Sequence, residues 1–293
     1  MATGLPESPD LSDLRTRGRW PPPDGPRVAI VGARRPTPYG EAAAERLATD
    51  LARAGVVVVS GLARGVDTAA HEGALLGDGC TVAVLGTGID VVYPASSAGL
   101  AARIVDRGGA LVSQFADGTP PRRPNFPRRN WTMAALSQLV VVVEAAEGSG
   151  ALITAEAALA QARTVMAVPG SVFSPLSVGC HQLLRDGAGL VQNARDVLAE
   201  LHGPAAVLDD PLAPPARLGI EGPPAAGRDG LLGHLSDSYP VQPGDLARRL
   251  GLAFPEVIAR LSRLELAGSA IRTPAGYVRV ARPAEGIKRA GRG

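Results

Sequence analysis

The chain is most informative at Ser60-Gly61-Leu62-Ala63-Arg64-Gly65-Val66-Asp67-Thr68-Ala69-Ala70-His71. This segment follows the β-branched run 56–59 and leads into an alanine-rich helical pattern. It therefore predicts a turn at the carboxyl end of a buried strand, which is where open α/β sheets bind their ligands. Gly61 and Gly65 allow the backbone to approach a ligand closely, and the Arg64 guanidinium offers several N–H donors to a phosphate. We expect this turn to bind a phosphate-bearing ligand.

Apolar strands alternate with helices on both sides of this turn. The predicted strands are 27–31, 56–59, 82–85, 110–113, 139–143, 164–168 and 190–192. The predicted helices are 38–54, 68–76, 98–106, one that begins near Arg129, 151–162, 179–185 and 194–201. Strands that are apolar throughout and alternate with helices are typical of a parallel sheet with both faces covered. Residues 27–202 are thus predicted to form one α/β domain.

The segments outside this domain differ from it in composition. Residues 1–26 are polar and proline-rich, which predicts a flexible leader with at most one short helix, at 11–15. Residues 203–227 are rich in Pro, Ala and Gly, which predicts a flexible linker. Three short helices followed by two short strands in 228–281 indicate a winged helix-turn-helix domain, and residues 282–293 form a basic tail.

Composition limits the kinds of protein this chain can be. Its hydrophobic content of 45% is ordinary for a soluble globular protein, and no apolar run reaches the roughly 20 residues of a membrane-spanning helix. Two widely separated cysteines and no signal-peptide pattern favour reduced thiols in the cytoplasm. With a net charge of only +2, affinity for nucleic acid must come from local clusters of cations. Metal-ligand spacings and a G-x-S-x-G motif are absent from the sequence, so we expect no metal and no cofactor. Since no apolar run is long enough to span a bilayer, we also expect no membrane partner.

One such cluster of cations occurs in segment 120–130, which contains no acidic residue. Phe126 lies among the arginines of this segment. Arginines around an aromatic residue suit single-stranded nucleic acid, because the cations contact phosphates while the ring stacks on a base. In the alternative interpretation, the segment is a solvated basic loop and Phe126 packs into the core. The arginines are Arg122, Arg123, Arg128 and Arg129.

Other predicted strands also end in residues that can carry chemistry. Gly32-Ala33-Arg34 matches neither the G-x-G-x-x-G dinucleotide fingerprint nor a P-loop, so either Arg34 captures a phosphate or this is a plain surface turn. Ser149-Gly150 opens a helix whose backbone amides can bind an anion. Glu144 ends the most apolar strand, where a carboxylate can act as an acid or a base. His71 lies within a helical pattern, which predicts a hydrogen-bonded structural role.

Six motifs follow one another in the order of one known family: Gly32-x-Arg34, the run 60–75, the run 86–94, Phe126-Pro127-x-Arg129-Asn130, Glu144 with Ser149-Gly150-x-Leu152-Ile153-Thr154, and Val168-Pro169-Gly170. In combination they resemble the DNA-processing protein A family (DprA, also called Smf). The resemblance implies an extended Rossmann-like parallel sheet with helices on both faces, a small C-terminal winged-helix domain and no enzymatic activity. It also implies a cytoplasmic homodimer that protects incoming single-stranded DNA and loads the RecA recombinase during natural transformation.

The resemblance further implies a binding site for the DNA strand. The site comprises Gly32, Arg34, Gly61, Arg64, Gly65, Ser149 and Gly150 around the phosphates, with Phe126, Arg128, Arg129 and Asn130 at the side of the strand. Three positions depart from the usual family pattern: Ala33, Gln114 and Trp131 stand in place of a serine, a glutamate and an arginine. These departures concern the expected contacts more than the expected fold.

Two other functions fit parts of the sequence. A LOG-type phosphoribohydrolase, which is a nucleotide-processing enzyme, has a related sheet. Segment 148–156 matches its Pro-Gly-Gly-x-Gly-Thr-x-x-Glu motif only in part and lacks the proline–glycine pair. Alternatively, the winged helix is a duplex-DNA regulator module. Its expected recognition helix, 255–267, carries two arginines and two glutamates, a balance that argues against strong major-groove binding and fits a contact with protein at least as well.

Overall fold

The computed structural model describes residues 11–203, 231–235, 241–273 and 276–279. The chain divides into two compact units, Met1–Leu218 and Gly219–Gly293. The predicted linker 203–227, apart from Gly203, and the predicted tail 282–293 lie outside the described residues.

The first unit contains a sheet of eight strands, whose order across the sheet is β1-β5-β4-β3-β2-β6-β7-β8. Neighbouring strands are parallel, except that β1 is antiparallel to β5. The β-branched composition of the central strands suits a sheet that is buried on both faces. The strands are β1 Arg15–Gly18, β2 Arg27–Gly32, β3 Val57–Ser60, β4 Thr81–Val84, β5 Ala110–Ser113, β6 Leu139–Val143, β7 Thr164–Ala167 and β8 Gly189–Leu190.

Helices cover both faces of this sheet. On one face, α1 and α2 pack on alternate strand residues such as Ile30 and Val141, and on the other face α4 and α5 pack on Ala29 and Val140. This confirms the predicted layered α/β fold. The helices are α1 Pro38–Arg53, α2 Val66–Leu76, α3 Ala98–Asp106, α4 Asn125–Leu136, α5 Gly150–Ala160, α6 Val178–Arg185 and α7 Ala194–His202, with short 3₁₀ turns at Ala95–Ser97 and Pro175–Ser177.

The strand order reverses next to β2. The chain runs outward from β2 through β3 and β4 to β5, then returns to place β6 on the other side of β2. Ligands of open α/β sheets bind outside the carboxyl ends of the strands near such a switch point. Strands β2, β3, β4 and β6 all end at the same edge of the sheet, which we call the carboxyl edge. The helices that follow these strands begin at this edge.

Two expectations about local structure are wrong. The short helix expected at 11–15 does not form; residues 15–18 instead make strand β1, with Arg15 opposite Ser113 and Gly18 opposite Ala110. All four β1 residues are exposed, so their pattern carries no strand signal, and pairing with the edge of the sheet decides their conformation. Helix α4 begins at Asn125 rather than near Arg129, because Pro127 lies in the first turn, where a missing N–H costs nothing.

The second unit contains the elements predicted for a winged helix. A 3₁₀ turn at Leu231–His234 precedes α8 Pro243–Leu250 and α9 Phe254–Leu266, and an antiparallel pair follows, β9 Ala270–Thr273 with β10 Gly276–Arg279. The unit has its own apolar core, which includes Leu235, Leu246, Val257, Leu261 and Tyr277. In the described part of the chain, no helix is both long and apolar enough to cross a bilayer.

Candidate nucleic-acid interface

The turns after β2 and β3 lie against each other at the carboxyl edge. The Val66 amide donates to the Ala33 carbonyl at 3.1 Å, which joins turn 61–65 to turn 33–36. Gly65 has φ +80°, and a Cβ there would lie 2.7 Å from the Pro36 ring. Only glycine fits both this backbone conformation and this close approach. The structure thus places Gly32, Arg34, Gly61 and Gly65 at two adjacent turns, and no side chain in the described part of the chain caps the N-terminus of α2.

Exposed arginines occur in these two turns and in segment 120–130. Within the described residues, no carboxylate lies within ion-pair distance of any of them. Clustered unpaired guanidinium groups raise the local positive potential and suit a phosphate-bearing partner. The residues concerned are Arg34, Arg35, Arg64, Arg122, Arg123 and Arg128.

Phe126 connects the basic segment with the turn after β2. It is half-buried in the first turn of α4, where the Arg34 Cζ lies 5.6 Å from the centre of its ring. A Cβ on Gly86 would lie 2.9 Å from the same ring, and the ring centre of Tyr93 is 5.8 Å away. The glycine after β4 is therefore required for the packing of Phe126, a role that turn chemistry alone does not indicate.

Arg129 lies beneath turn 61–65 rather than at the surface. It is only 4% exposed, and its Nη1 donates to the Val84 carbonyl at 3.0 Å. A side chain on Gly61 would overlap the same guanidinium. Burial lowers the pKa of Arg129 and raises that of Asp67, and the opposite charges of the two groups counteract both shifts. The sequence predicts that Arg129 contacts the side of a DNA strand. In the structure its side chain is instead buried and bonded to the protein.

Asn130 joins the helix α4 to the start of α5. It is buried, and its side-chain amide donates to the Gly150 carbonyl at 3.1 Å. The Ser149 hydroxyl accepts from the Ala151 amide at 3.3 Å and so caps α5. Ser149 and Gly150 therefore lie at a helix N-terminus on the carboxyl edge, as predicted, while the Asn130 side chain is engaged by protein rather than open to a ligand.

Glu144 occupies the start of α1, next to the switch point between β2 and β6. Its carboxylate accepts from the Thr37 amide at 2.8 Å and from the Thr37 hydroxyl at 2.5 Å, and it lies against Gly40. A protein carboxylate thereby stabilises the helix N-terminus that binds phosphate in many nucleotide-binding sheets. With these bonds and only 4% exposure, Glu144 is a capping residue and is not placed to act as an acid or base on a ligand.

The three departures from the family pattern are accommodated by packing. Ala33 is buried in its turn, and Trp131 is buried in the core between α4 and the sheet. Gln114 accepts a hydrogen bond from the Thr132 hydroxyl.

Sequence reasoning missed three residues of this region. Phe115 lies 5.5 Å from the guanidinium of Arg128, Tyr93 packs on Phe126, and Asp67 shares the interior with Arg129. Aromatic residues make up only 3% of the chain, so each aromatic residue in a loop after a strand was a usable signal. Arg64 also borders a pocket of about 480 Å³ with Thr68, Ser96 and Arg103.

Known proteins share this arrangement of elements. A family model described as DNA recombination-mediator protein A matches residues 6–202, and a model of the DprA winged helix domain matches residues 211–276. Protein Smf of Escherichia coli is 42% identical over 257 residues, which is 87% of this chain and 68% of that protein. DNA processing protein DprA of Streptococcus pneumoniae is 44% identical over 177 residues, which is 60% of this chain and 62% of that protein.

Solved structures agree with these sequence matches. The X-ray structure of DprA from Streptococcus pneumoniae superposes with a TM-score of 0.59 at 42% identity, covering 64% of this chain and 65% of that chain. A Helicobacter pylori DprA structure, described as giving insight into its single-stranded DNA binding mode, has a TM-score of 0.58 at 31% identity and covers 64% of this chain and 86% of that chain. This chain spans less than two thirds of the pneumococcal protein. Because the family model matches more than half of the sequence, the chain belongs to the DNA recombination-mediator protein A (DprA/Smf) family.

Proposed function

We propose that the carboxyl edge of the first unit binds single-stranded DNA. One observation carries this proposal: at the ligand-binding end of a parallel sheet, two close-packed turns with exposed arginines, which form no ion pair among the described residues, lie beside the Tyr93–Phe126 ring pair. Arginines contact phosphates, and rings and backbone amides accept a flexible strand without regard to its sequence. The Helicobacter pylori relative, described as binding single-stranded DNA, supports the same class of ligand.

In this proposal the predicted site residues have two kinds of role. Gly32, Arg34, Gly61, Arg64, Gly65, Ser149 and Gly150 form the phosphate-binding surface, and Phe126 and Arg128 lie beside it. Arg129 and Asn130 act as positioning residues, because their polar groups bind the Val84 and Gly150 carbonyls. Arg129 supports turn 61–65 from below, and Asn130 holds the start of α5.

The salt dependence of binding tests this proposal. A fluorescent dT oligonucleotide is titrated at several salt concentrations with the wild type, with Arg34→Ala/Arg64→Ala, and with Arg185→Ala as a control. Arg185 is exposed and ends α6, at the opposite edge of the sheet. Each lost phosphate contact reduces the log–log salt slope by about 0.7, so the double variant should lose affinity and about 1.4 of slope. Equal slopes for the double variant and the control would contradict the proposal.

We also propose that the bound strand is protected and passed to RecA in the cytoplasm, as the family membership suggests. Nuclease digestion of labelled DNA, with and without the protein, tests protection. Capture of RecA by the immobilised protein, with and without oligonucleotide, tests the handover. If RecA is captured under neither condition, the proposed loading of RecA is contradicted, whereas the proposed binding of DNA is not.

A homodimer is part of the same proposal. The loop before α6 exposes two adjacent apolar side chains, Val172 at 78% and Phe173 at 93%, and such exposure suits a surface that another protein covers. Light scattering coupled to size-exclusion chromatography measures the mass directly. We expect twice the 29.9 kDa chain mass for the wild type and a single chain mass for Phe173→Asp.

We propose binding without turnover, in preference to a nucleotide-processing enzyme. Glu144 is engaged in capping α1, and Glu156 lies exposed in the middle of α5, away from its N-terminus. Incubation with nucleoside monophosphates should release no free base. In the winged-helix unit, Arg260 pairs with Glu256 at 2.5 Å, which further lowers the charge available to duplex DNA and favours a contact with protein.

A further inference from the structure

The aromatic pair at the carboxyl edge is asymmetric. Phe126 is half-buried, lies against Gly86, and has the Arg34 guanidinium 5.6 Å from its ring centre. Tyr93 is 47% exposed, and its hydroxyl has no hydrogen-bond partner among the described residues. The Phe126 ring is thus already in contact with protein, whereas the Tyr93 ring offers open surface.

The segment that carries Tyr93 is attached to the proposed phosphate-binding turn. The Ser97 hydroxyl donates to the Leu62 carbonyl at 3.2 Å, and the Ser97 amide donates to the Pro94 carbonyl at 2.9 Å. Hydrogen bonds through Ser97 thus connect the residue after Tyr93 to turn 61–65. On its other side, the Tyr93 ring meets Phe126 at 5.8 Å with an interplanar angle of 44°.

We propose that Tyr93 is the residue on which an unpaired nucleobase of the bound strand stacks, with Phe126 supporting it from behind. This inference rests on the proposed function, since it names the base contact of that same site. The Tyr93 ring and the Arg34 guanidinium both contact the Phe126 ring, so an exposed ring and a cation lie close together, as a strand of alternating bases and phosphates requires. Arg34 then contacts a phosphate next to the stacked base, and the free phenol is available to the base edge.

A comparison of Tyr93 variants on two kinds of oligonucleotide tests the inference. The full chain is titrated with a dT oligonucleotide and with an abasic oligonucleotide of the same length and charge. Tyr93→Leu removes the ring and keeps an apolar side chain, whereas Tyr93→Phe keeps the ring. Tyr93→Leu should weaken binding of the dT oligonucleotide by about 5- to 150-fold and leave binding of the abasic oligonucleotide and the salt slope unchanged. Tyr93→Phe should retain most of the dT affinity.

The outcomes separate this inference from the proposed function. If the wild type binds neither oligonucleotide, the proposed function fails. If the wild type binds dT and Tyr93→Leu changes neither affinity, or weakens both oligonucleotides equally, then the proposed function stands and the stacking role of Tyr93 is overturned.

A second variant tests the stacking role even if Tyr93→Leu does not fold. In Tyr93→Trp, indole fluorescence reports on the ring itself after subtraction of the wild-type signal, to which two tryptophans contribute. Stacking predicts quenching by dT and none by the abasic oligonucleotide. Equal quenching by both oligonucleotides would overturn the stacking role.

Discussion

At the scale of single residues, two adjacent arginines of α4 lie in opposite environments. Arg128 is exposed and lies over the Phe115 ring, while Arg129 is buried beneath turn 61–65. Successive residues of a helix point about 100° apart, so Arg128 points to solvent while Arg129 points into the core. The Arg129 guanidinium also contacts the Met133 sulfur at 3.8 Å, one helical turn further along the same face.

The buried position of Arg129 predicts a loss of stability rather than a specific loss of DNA affinity. Arg129→Met leaves the Val84 carbonyl without its donor and removes the larger of the two positive-charge effects, those of Arg129 and Arg34, that act on Asp67. A buried hydrogen-bonding group left without its partner costs about 1–3 kcal/mol, which urea denaturation measures. Asp67→Asn should recover part of that loss in the double variant, and additive losses would contradict the coupling.

His71 predicts a dependence of stability on pH. The Thr81 hydroxyl donates to the Val58 carbonyl and accepts from His71 Nδ1 at 2.7 Å, so Nε2 carries the lone pair, buried and without a partner in the described residues. Burial, aided by the nearby Arg129 charge, lowers the pKa of His71 to about 3. Between pH 6.5 and that value, the unfolded chain binds a proton that the folded chain does not.

The contribution of neutral His71 to the free energy of unfolding should therefore be fully present above pH 6.5. It should decrease as the pH falls toward 3, by up to about 1.4 kcal/mol per pH unit. His71→Asn keeps a donor near Nδ1 but cannot take up the proton. Its free energy of unfolding between pH 7.5 and 4.5 should fall less steeply than that of the wild type. Parallel curves for the two proteins would show that His71 is not the responsible group.

At the scale of elements, the contact between β2 and β6 depends on one missing side chain. A Cβ on Gly32 would overlap the Val143 carbonyl oxygen on the neighbouring strand. The same strands hold turn 33–36 and Glu144 in place. Gly32 is thus needed for the close approach of two strands, whatever it contributes to a ligand.

Gly32→Ala should destabilise the protein by about 1–3 kcal/mol, the usual cost of overpacking a tight interior. Gly99→Ala is the matched control, because Gly99 lies in the first turn of α3 and no described atom outside that helix's own backbone lies within 4 Å of its Cβ position. The control should be neutral or slightly stabilising, since alanine favours a helix. Thermal melts of the two variants compare them directly, and equal melting temperatures would count against the steric argument.

At the scale of the whole molecule, the chain carries two separate apolar cores. The first lies on both faces of the eight-stranded sheet, and the second joins the helices and strands of the winged-helix unit. The residues of the proposed DNA site all belong to the first unit. Each unit therefore has the basis for folding on its own.

A chain of residues 1–203 should consequently keep the DNA affinity of the full chain within about 2-fold, because no proposed contact is removed. Fluorescence anisotropy with the dT oligonucleotide measures this, and circular dichroism verifies that the shortened chain is folded. Arg34→Ala in the shortened chain should weaken binding as it does in the full chain. A folded 1–203 chain that no longer binds would place part of the site in the second unit.

Much of this molecule follows from local signals in the sequence. Apolar β-branched runs, the Thr37 cap before Pro38 and glycines after strands specify the order of strands and helices and the class of the fold. They also specify that turns 33–36 and 61–65 meet at one edge, because parallel strands end on the same side. Strand β1 escaped prediction, since only its pairing with β5 makes those exposed residues a strand.

The sequence by itself determined which loops reach the carboxyl edge and how many cations they bring. Only the tertiary structure decided which side chains face outward there. Arg128 and Tyr93 are exposed, whereas Arg129 and Glu144 are buried and form hydrogen bonds with other residues of the protein. The physical reason is that strand and helix formation depends on residues close together in the chain. The direction of a side chain at a helix start depends on the register between that helix and strands distant in sequence.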